Sequence, residues 1–397
     1  MIQWLKNNFI TRRRYSLALY AIAALYVFSF CFAGHHYNNF LIYTGSFRHL
    51  VHQTGLYHAY PGQYEDYFLY GPVFAALIAP FAIVPFPVGL LCWLLFVAGV
   101  FFIAIQSLPF PRTRNNLICL ICLNELLLSQ QYTQVNPLIA ALIILSFVFI
   151  EKEKDGWAAL MAALGFWIKL YGIIALAFVL FSKHKTKFIG CFLLWSGVCF
   201  VLPMLLSSPG FVLHAYGDWI HRLIDKNALN QHIAGFNLQN ISLEGILQRV
   251  FGLQNLNDGL VVIPAAIAIG LSFLKVTLKQ GSAQLSEKLL LLSLSLISIV
   301  IFSTSAESCT YIIAFAGFGI WVMLRPYPFR GADLYLFLFV LIFASVIDSD
   351  LVTRDFKNNI SVRYALKAIP LVLLWCHILY RMWFKTEKKF LGYPLIT

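Results

Sequence analysis

Residues 67–111 read YFLYGPVFAALIAPFAIVPFPVGLLCWLLFVAGVFFIAIQSLPFP and contain no Asp, Glu, Lys or Arg. A helix that crosses a membrane needs about 20 apolar residues, so this uncharged stretch is too long for one crossing. Pro85-Phe86-Pro87 in its middle predicts a turn between two spans. Because lipid offers the backbone no hydrogen-bond partners, the spans must be helices.

The composition extends this interpretation to the whole chain. Of its 397 residues, 60% are hydrophobic and 12% are charged, and the mean hydropathy is +0.76. A soluble domain has about 45–50% apolar and about 25% charged residues, and it could not keep so much apolar surface from water. We therefore predict an all-α protein, a polytopic transmembrane bundle of about 12 helices that forms a single integral membrane domain over residues 1–397.

The first apolar run, Tyr15–Ala33, follows Arg12-Arg13-Arg14 and has no small-residue cleavage site after it. We interpret it as a retained first span and not as a signal peptide, with the arginines holding its start in the cytoplasm. Further spans are predicted at residues 71–85, 87–106, 188–206, 259–277, 289–305, 310–324, 333–347 and 368–384.

The distribution of lysine and arginine predicts the topology. Loops 34–70, 207–258 and 349–367 fall on the side opposite the basic residues, and the first two are expected to carry interfacial helices. Both termini are predicted to be cytoplasmic, in what would be a bacterial inner membrane.

Residues 107–182 allow two interpretations. Segments 117–129 and 135–150 are both short, and Lys169 lies in the centre of a longer apolar stretch. Residues 157–181 form either one tilted span or a pair of segments broken at Lys169-Leu-Tyr-Gly172.

Charge and cysteine content exclude several classes of protein. The net charge of +12 lies in short loops and not in a long basic domain, so nucleic acid is not an expected partner. The eight cysteines lie almost entirely in apolar runs, and Cys119 and Cys122 have no second pair, so redox use is not expected. His49 and His52 could share a helix face, but no third ligand has a firm spacing. No metal and no cofactor is predicted.

Ionisable residues at membrane depth cost several kcal/mol and usually face a cavity or a partner. Four side chains fit this description: Glu125, Lys169, Glu307 and His377. The alternative is that each marks the end of a span that has been placed too deep.

Glu65 and Asp66 directly precede the predicted second span. Partial desolvation there would raise the pKa of a carboxyl group and suit it to general-base catalysis. The alternative is a helix cap, because an acid near a helix N-terminus is favoured in any case.

Several short motifs follow one another in order along the chain. They are Asn39-Phe-Leu-Ile-Tyr43, Leu56-Tyr57, Tyr70-Gly-Pro-Val-Phe74, Ala79-Pro80, Val84-Pro85, Gln134-Val-Asn136, Gly165 to Lys169, Asn240-Ile-Ser-Leu243 with Arg249, and Ala306-Glu307-Ser308 before Tyr311. In these motifs the chain resembles glycosyltransferase family 87, over roughly residues 35–320. The resemblance implies a GT-C-like helical membrane enzyme that takes a hexose such as mannose from a polyprenyl-phosphate donor.

One position departs from the family pattern. Such enzymes usually place a catalytic Asp in the first outer loop, where this chain has Asn39. An amide cannot accept the proton of the acceptor hydroxyl at neutral pH. Either Asp66 or Glu65 has taken over as base, which we favour, or the transferase activity has been lost.

The resemblance also implies roles for the polar residues. The donor phosphate would be bound by Lys169, Arg249 and Arg222. Sugar and acceptor hydroxyls would be bound by Asn39, Tyr43, Gln131, Gln134, Asn136, Asn240 and Glu307. The acceptor would be a glycan or glycolipid at the outer membrane face, and the anomeric carbon would be inverted. The alternatives are pairing between helices for the amides and an ion pair with Glu125 for Lys169.

Two other functions are consistent with the composition. A transporter or flippase of a lipid-linked or small polar solute would show an internal repeat and a midplane site on broken helices. The sequence shows no repeat, and a break is suggested only at residues 169–172. The third alternative is a catalytically inactive GT-C-like protein, which the amide of Asn39 suggests.

Overall fold

The computed structural model describes residues 12–231, 239–253, 256–279, 285–349 and 352–384, which contain helices and no β-strand. The chain divides into two compact units. The first unit comprises residues up to Leu108 together with Ser129–Lys226, and the second comprises Pro109–Leu128 together with the residues from Asn227 onward.

The first unit contains most of the early helices. These are α1 (Arg13–Gly34), α2 (Asn38–Val51), α3 (Pro72–Leu77), α4 (Ala79–Ala82), α5 (Phe86–Gln106), the end of α6 (Arg112–Gln131), α7 (Asn136–Glu151), α8 (Asp155–Ile168), a 3₁₀ helix (Leu170–Phe181), α9 (Lys185–Val201) with its 3₁₀ extension (Leu202–Leu205), and most of α10 (Pro209–Gln231).

The second unit contains the beginning of α6 and the later helices. These are α11 (Leu243–Phe251), α12 (Gly259–Leu278), α13 (Leu285–Ile301), a 3₁₀ turn (Ser308–Thr310), α14 (Tyr311–Met323), α15 (Ala332–Ala344), a 3₁₀ turn (Val346–Asp348), α16 (Arg354–Phe356), a π-helical segment (Lys357–Val362) and α17 (Ala368–Phe384).

Within the described ranges, four helices are long and apolar enough to cross a membrane: α1, α5, Lys185–Leu205 and α12. Only 17% of the apolar window of Lys185–Leu205 is buried within the protein, so most of its large aliphatic side chains face outward. Water would not tolerate a continuous apolar face of this length, whereas lipid would. Six shorter apolar helices of 10–17 residues accompany these four, and the count of about twelve spans stays a prediction.

The predicted span at 71–85 is wrong. The segment forms two short helices, α3 and α4, because prolines at the start of each lack the N–H that would continue a helix. The six residues of α3 extend only about 9 Å along its axis, against about 30 Å of hydrocarbon.

Aromatic contacts show that this segment turns back to the side from which it started. The Phe86 ring at the start of α5 lies 4.9 Å from the Tyr37 ring and 5.4 Å from the Phe40 ring, measured between centroids. At the other end of α5, the Phe102 ring lies 5.4 Å from the Arg13 guanidinium at the start of α1. Helix α5 therefore starts beside the loop that follows α1, so the segment with α3 and α4 begins and ends at the same end of α1.

The alternatives for residues 157–181 are resolved in favour of a broken pair. Helix α8 ends at Ile168, Lys169 is extended with φ −150° and ψ 125°, and a 3₁₀ helix follows. The second segment packs closely on the first, because a Cβ at Gly172 would overlap the backbone of Gly165 and Phe166. Only glycine fits at this contact.

Two polar contacts place the far ends of this broken pair side by side. Ser182 donates to Asp155 at 2.5 Å, and Lys183 pairs with Glu153 at 2.5 Å. The start of α8 and the end of the 3₁₀ helix therefore lie together, and the break at Lys169 lies at the opposite end of the pair.

Candidate functional site

A chain of tyrosine hydroxyls forms the centre of the polar site in the first unit. The buried hydroxyl of Tyr43 on α2 lies 3.1 Å from that of Tyr70, and the Tyr70 hydroxyl donates to the Gln134 side-chain oxygen at 3.1 Å. The hydroxyl of Tyr57 donates to the carbonyl of Tyr70 at 2.7 Å. These bonds fix the tyrosine rings between α2 and the turn that precedes α7.

Lys169 adds a positive charge to these groups. Its ammonium nitrogen donates to the Asn136 side-chain oxygen at 2.9 Å, and it lies 4.4 Å from the Tyr171 ring centroid and 6.0 Å from that of Tyr70. The faces of aromatic rings carry negative potential and favour such a cation. We call Tyr43, Tyr70, Gln134, Asn136 and Lys169 the tyrosine–lysine cluster.

Gly71 brings the two parts of the tyrosine–lysine cluster together. Its N–H donates to the carbonyl of Ile168 at 3.2 Å, which ties the end of the first loop to the break after α8. A Cβ at this position would overlap the carbonyl oxygen of Trp167. Glycine is therefore required for Tyr70 and Lys169 to approach each other.

Asn39 has a structural bond that an aspartate could not make. Its side-chain nitrogen donates to the carbonyl of Tyr132 at 2.8 Å and so links α2 to the turn before α7. A carboxylate only accepts hydrogen bonds, so it would face this carbonyl without a proton to share. The carbonyl of Gln131 accepts the Cys31 thiol at 3.4 Å, and the Gln131 side chain is half-buried beside this turn.

Glu65 and Asp66 are both exposed, so the partial desolvation expected for them is not found. The Asn38 side chain binds both backbone groups of Glu65, at 2.6 and 2.8 Å, and Asp66 adopts φ 70° with its carboxylate accepting the N–H of Tyr67 at 2.9 Å. The alternative of a helix cap is also wrong, because α3 begins at Pro72 and its N-cap residue, Gly71, makes no side-chain cap.

Helix α10 contacts the loop that connects α2 to α3. Arg222 donates to the carbonyl of Tyr57 at 3.3 Å, and its guanidinium lies 3.9 Å from the Tyr67 ring centroid. Trp219 donates to the carbonyl of Leu69 at 3.1 Å. Arg222 therefore lies against the segment that carries the two acids and leads into Tyr70.

In the second unit, the predicted site residues are in and around α11. Asn240 is buried and accepts the Ser242 hydroxyl at 2.5 Å, and Ser242 in turn caps α11 at Gly245. Arg249 donates to the carbonyl of Val362 at 2.7 Å, and burial lowers its pKa. Lys169 and Arg249 belong to different units, and their predicted proximity stays a prediction.

The family follows from a comparison with known proteins. The model of glycosyltransferase family 87 matches residues 68–352, more than two thirds of the chain. The chain belongs to glycosyltransferase family 87. No curated protein matches the chain at a significant level. The part that matches the family includes Tyr70, Gln134, Asn136 and Lys169, whereas Asn39 lies before it.

In this glycosyltransferase, Glu307 caps a helix, which agrees with the alternative that it marks the end of a span. It precedes the 3₁₀ turn before α14 and forms a reciprocal cap with Thr310, whose hydroxyl accepts the Glu307 N–H at 3.3 Å. The Cys309 thiol donates to the Glu307 carboxylate at 3.5 Å.

The partner of Glu125 was missed in the sequence. Glu125 forms an ion pair with Lys367 at 2.8 Å, and both side chains are fully buried. Lys367 directly precedes α17. Because it lies at the end of the predicted outer loop 349–367, it was not counted among the charged residues at membrane depth. His377 likewise has an acid beside it, Asp333 at 3.1 Å, which also accepts Arg381.

A pair of carboxyl groups in the second unit was also missed. Burial raises the pKa of Glu244 to about 8, and a hydrogen bond to Asp258 contributes to the rise. Gln248 donates to Glu244 at 2.8 Å, and Asn227 donates to Asp258 at 2.9 Å. Glu244 and Asp258 are not close in the sequence, so no short motif indicated that they would pair.

His49 is engaged in contacts within the first unit. Its ring nitrogen lies 3.2 Å from the Gln63 side-chain oxygen, its ring stacks on Tyr60 at 3.9 Å between centroids, and burial lowers its pKa. Among the described residues, no group of three His, Cys, Asp or Glu side chains could hold a metal ion.

Proposed function

We propose that this glycosyltransferase is an integral membrane enzyme that moves a hexose, such as mannose, from a polyprenyl-phosphate donor to a lipid-linked or cell-envelope acceptor. The observation that carries the proposal is the tyrosine–lysine cluster, a cation with neutral hydrogen-bonding groups at the broken end of an apolar helix pair. The outward apolar faces of the long helices offer a surface for the polyprenyl chain.

Lys169 is the proposed ligand of the donor phosphate. An apolar wall cannot hold a phosphate, and Lys169 provides a half-buried cation beside neutral hydrogen-bonding groups. Arg222 and Arg249 are proposed as further phosphate ligands. Arg222 supports this role by its place beside Tyr67, in the loop that leads to Tyr70.

The sugar hydroxyls are proposed to bind the neutral groups of the tyrosine–lysine cluster. Amide and phenol groups both donate and accept, as sugar hydroxyls do, so they can bind a hexose without a fixed charge. Gln131, Asn39, Asn240 and Glu307 are proposed as further sugar or acceptor contacts, although hydrogen bonds already hold Asn39 and Asn240 in place.

Asp66, or failing it Glu65, is proposed as the general base. The carboxylate would remove the proton of the acceptor hydroxyl while the hydroxyl oxygen bonds to the anomeric carbon and the polyprenyl phosphate leaves from the opposite face. The configuration of that carbon would be inverted. Both acids are exposed to an incoming acceptor and lie four or five residues before Tyr70.

The proposed topology keeps about twelve crossings, but the segments that cross are not all the ones predicted from the sequence. The α3–α4 segment no longer counts, and α8 and the 3₁₀ helix after Lys169 count separately. Both termini then remain cytoplasmic in a bacterial inner membrane, and Lys169 lies at the outer side with loop 34–70. Cysteine labelling from outside should reach positions 62 and 221, both exposed, and should not reach position 183.

The activity is tested by a transfer assay. Membranes that contain the chain are supplied with radiolabelled polyprenyl-phosphate sugars, and label in glycan or glycolipid is compared with membranes that lack the chain. Transfer that depends on the chain supports the proposal. Equal label in both membranes, with the protein present at normal abundance, would refute it.

A further inference from the structure

The Glu125–Lys367 pair is the most deeply buried charged contact described in the second unit. The ammonium and carboxylate are 2.8 Å apart, and neither side chain is exposed to solvent. The desolvation of two such ions generally consumes most of their attraction, and apolar residues of similar size often stabilise a fold equally well. Stability alone therefore does not account for this pair.

Lys367 makes contacts beyond its ion pair. Its ammonium donates to the carbonyl of Ser308 at 3.4 Å and lies 5.0 Å from the centroid of the Tyr311 ring. The bond to Ser308 holds the short turn that connects α13 to α14. An apolar side chain at position 367 could not donate to that carbonyl.

Tyr311 extends these contacts to the segment before α11. Its hydroxyl donates to the carbonyl of Ile241 at 2.8 Å, and the N–H of Ile241 donates to the carbonyl of Ala306 at 2.7 Å. Asn240 and Ser242 flank Ile241, so their side chains are held in register with the turn that Lys367 binds.

Hydrogen bonds also fix the position of Glu125, the acid of the pair. Asn124 donates to the Glu125 carboxylate at 3.2 Å and to the Ser345 hydroxyl at 2.9 Å, which ties α6 to the end of α15. Glu125 thus has a fixed position from which it holds the Lys367 ammonium toward Ser308.

We propose that Glu125 and Lys367 are positioning residues that hold the Ala306–Tyr311 turn, and through Tyr311 the Asn240–Ser242 segment, in the arrangement needed for sugar transfer. The activity part of this inference rests on the proposed function. The positional part does not, because it concerns contacts within the second unit.

The test removes both charges at once. Glu125→Gln/Lys367→Met leaves no unpaired buried charge, so we expect membrane abundance within about twofold of the wild type. The Ser308 carbonyl loses its donor, and we expect kcat to fall by about 10–10² with a smaller change in KM. If the protein accumulates normally and both kcat and Cys309 protection are unchanged, the pair only stabilises the fold and the inference is wrong.

Cys309 reports the position of the turn without any sugar substrate. It is 3% exposed and adjoins Ser308, so the wild-type thiol should resist maleimide. In the full-length protein carrying Glu125→Gln/Lys367→Met, we expect at least about tenfold faster modification, located by peptide mass spectrometry. A wild-type protein without transfer activity would refute the proposed function, while the labelling comparison would still decide the positioning.

Two further variants complete the comparison. Asp333→Asn/Arg381→Gln removes another ion pair of the same unit, which has no described contact with the turn, and should leave Cys309 protected. Lys367→Arg keeps a cation and should retain protection and most activity. If the uncharged double variant does not accumulate, Lys367→Arg with a fully reactive Cys309 and normal kcat would itself overturn the inference.

Discussion

The two units differ in how deeply their lysines and acids are buried. In the first unit, Lys169 is half-buried and bonds to a neutral amide between aromatic faces, and Asp66 is exposed. In the second unit, Lys367 and Glu125 are fully buried and neutralise each other. The half-buried ammonium of Lys169 can be reached by an anionic ligand, whereas the fully buried ammonium of Lys367 cannot. We therefore place the proposed base and the Lys169 phosphate contact in the first unit and the proposed positioning pair in the second.

The largest effect should come from the exposed acids. Asp66→Asn/Glu65→Gln removes both proposed bases, and loss of a general base typically costs about 10²–10⁴ in rate. Neither side chain caps a helix, so abundance should not change. Transfer is measured in membranes with matched protein levels.

The single variants sharpen this result. Asp66→Asn alone should give most of the loss if Asp66 is the base, with Glu65→Gln as the matched control. Near-normal transfer by the double variant would move the base elsewhere, with Asp218, Asp225 and Glu307 the next acids to substitute.

Lys169→Met should have the next largest effect. Removing one preorganised electrostatic contact to a transferring group commonly costs about 10²–10³ in kcat. Lys169→Arg should recover part of it. Lys183→Met is the matched control, because Lys183 forms an exposed ion pair with Glu153 and should leave transfer unchanged. A Lys169→Met protein with full activity would end the contrast between the two lysines.

The pH dependence of stability should reveal the carboxyl pair of the second unit. Glu244 has a pKa raised to about 8 in the folded protein, against an ordinary value of 4.5, so the folded state binds the proton more tightly. Stability from this group is complete below pH 4.5 and is lost as the pH rises toward 8, by up to about 4 kcal/mol.

Glu244→Gln should remove this dependence, because an amide does not titrate. Thermal unfolding between pH 4.5 and 8 should therefore show a smaller decrease in Tm for the variant than for the wild type. Parallel Tm curves for the two proteins would contradict the raised pKa of Glu244.

Hydropathy predicted most of the helices because the apolar stretches are long and charge-free. It failed at 71–85, where composition alone cannot distinguish a crossing from a re-entrant pair, although Pro72 and Pro80 mark both helix starts. Hydropathy did not decide between one tilted span and a broken pair at residues 157–181, because the break at Lys169 is a change in backbone conformation. The close contact of Gly165 and Gly172 fixes the packing of the two segments, and the spacing of residues in the sequence does not show such contacts.

The candidate site was predicted in part. Gln134, Asn136, Tyr43 and Lys169 were singled out, and the structure brings these four together. Tyr70 was quoted only as part of a motif, yet its hydroxyl connects the others. The pairing of Glu125 with Lys367 could not be found, because no local pattern relates residues so far apart in sequence.

The smallest effect is expected for Asn39→Asp, and this variant tests most directly whether the base has moved away from position 39. Asn39→Asp introduces the acid that the family resemblance implies at this position, but it removes the donor to the Tyr132 carbonyl, at a cost of about 1–3 kcal/mol in stability. If the base has moved to Asp66, Asn39→Asp should lower abundance slightly and leave transfer per molecule unchanged or reduced. The decisive background is Asp66→Asn/Glu65→Gln, in which Asn39→Asp should remain inactive, because α2 holds position 39 toward the turn before α7. Recovery of transfer in that triple variant would show that the site still accepts a base at position 39 and would reassign the catalytic role to α2.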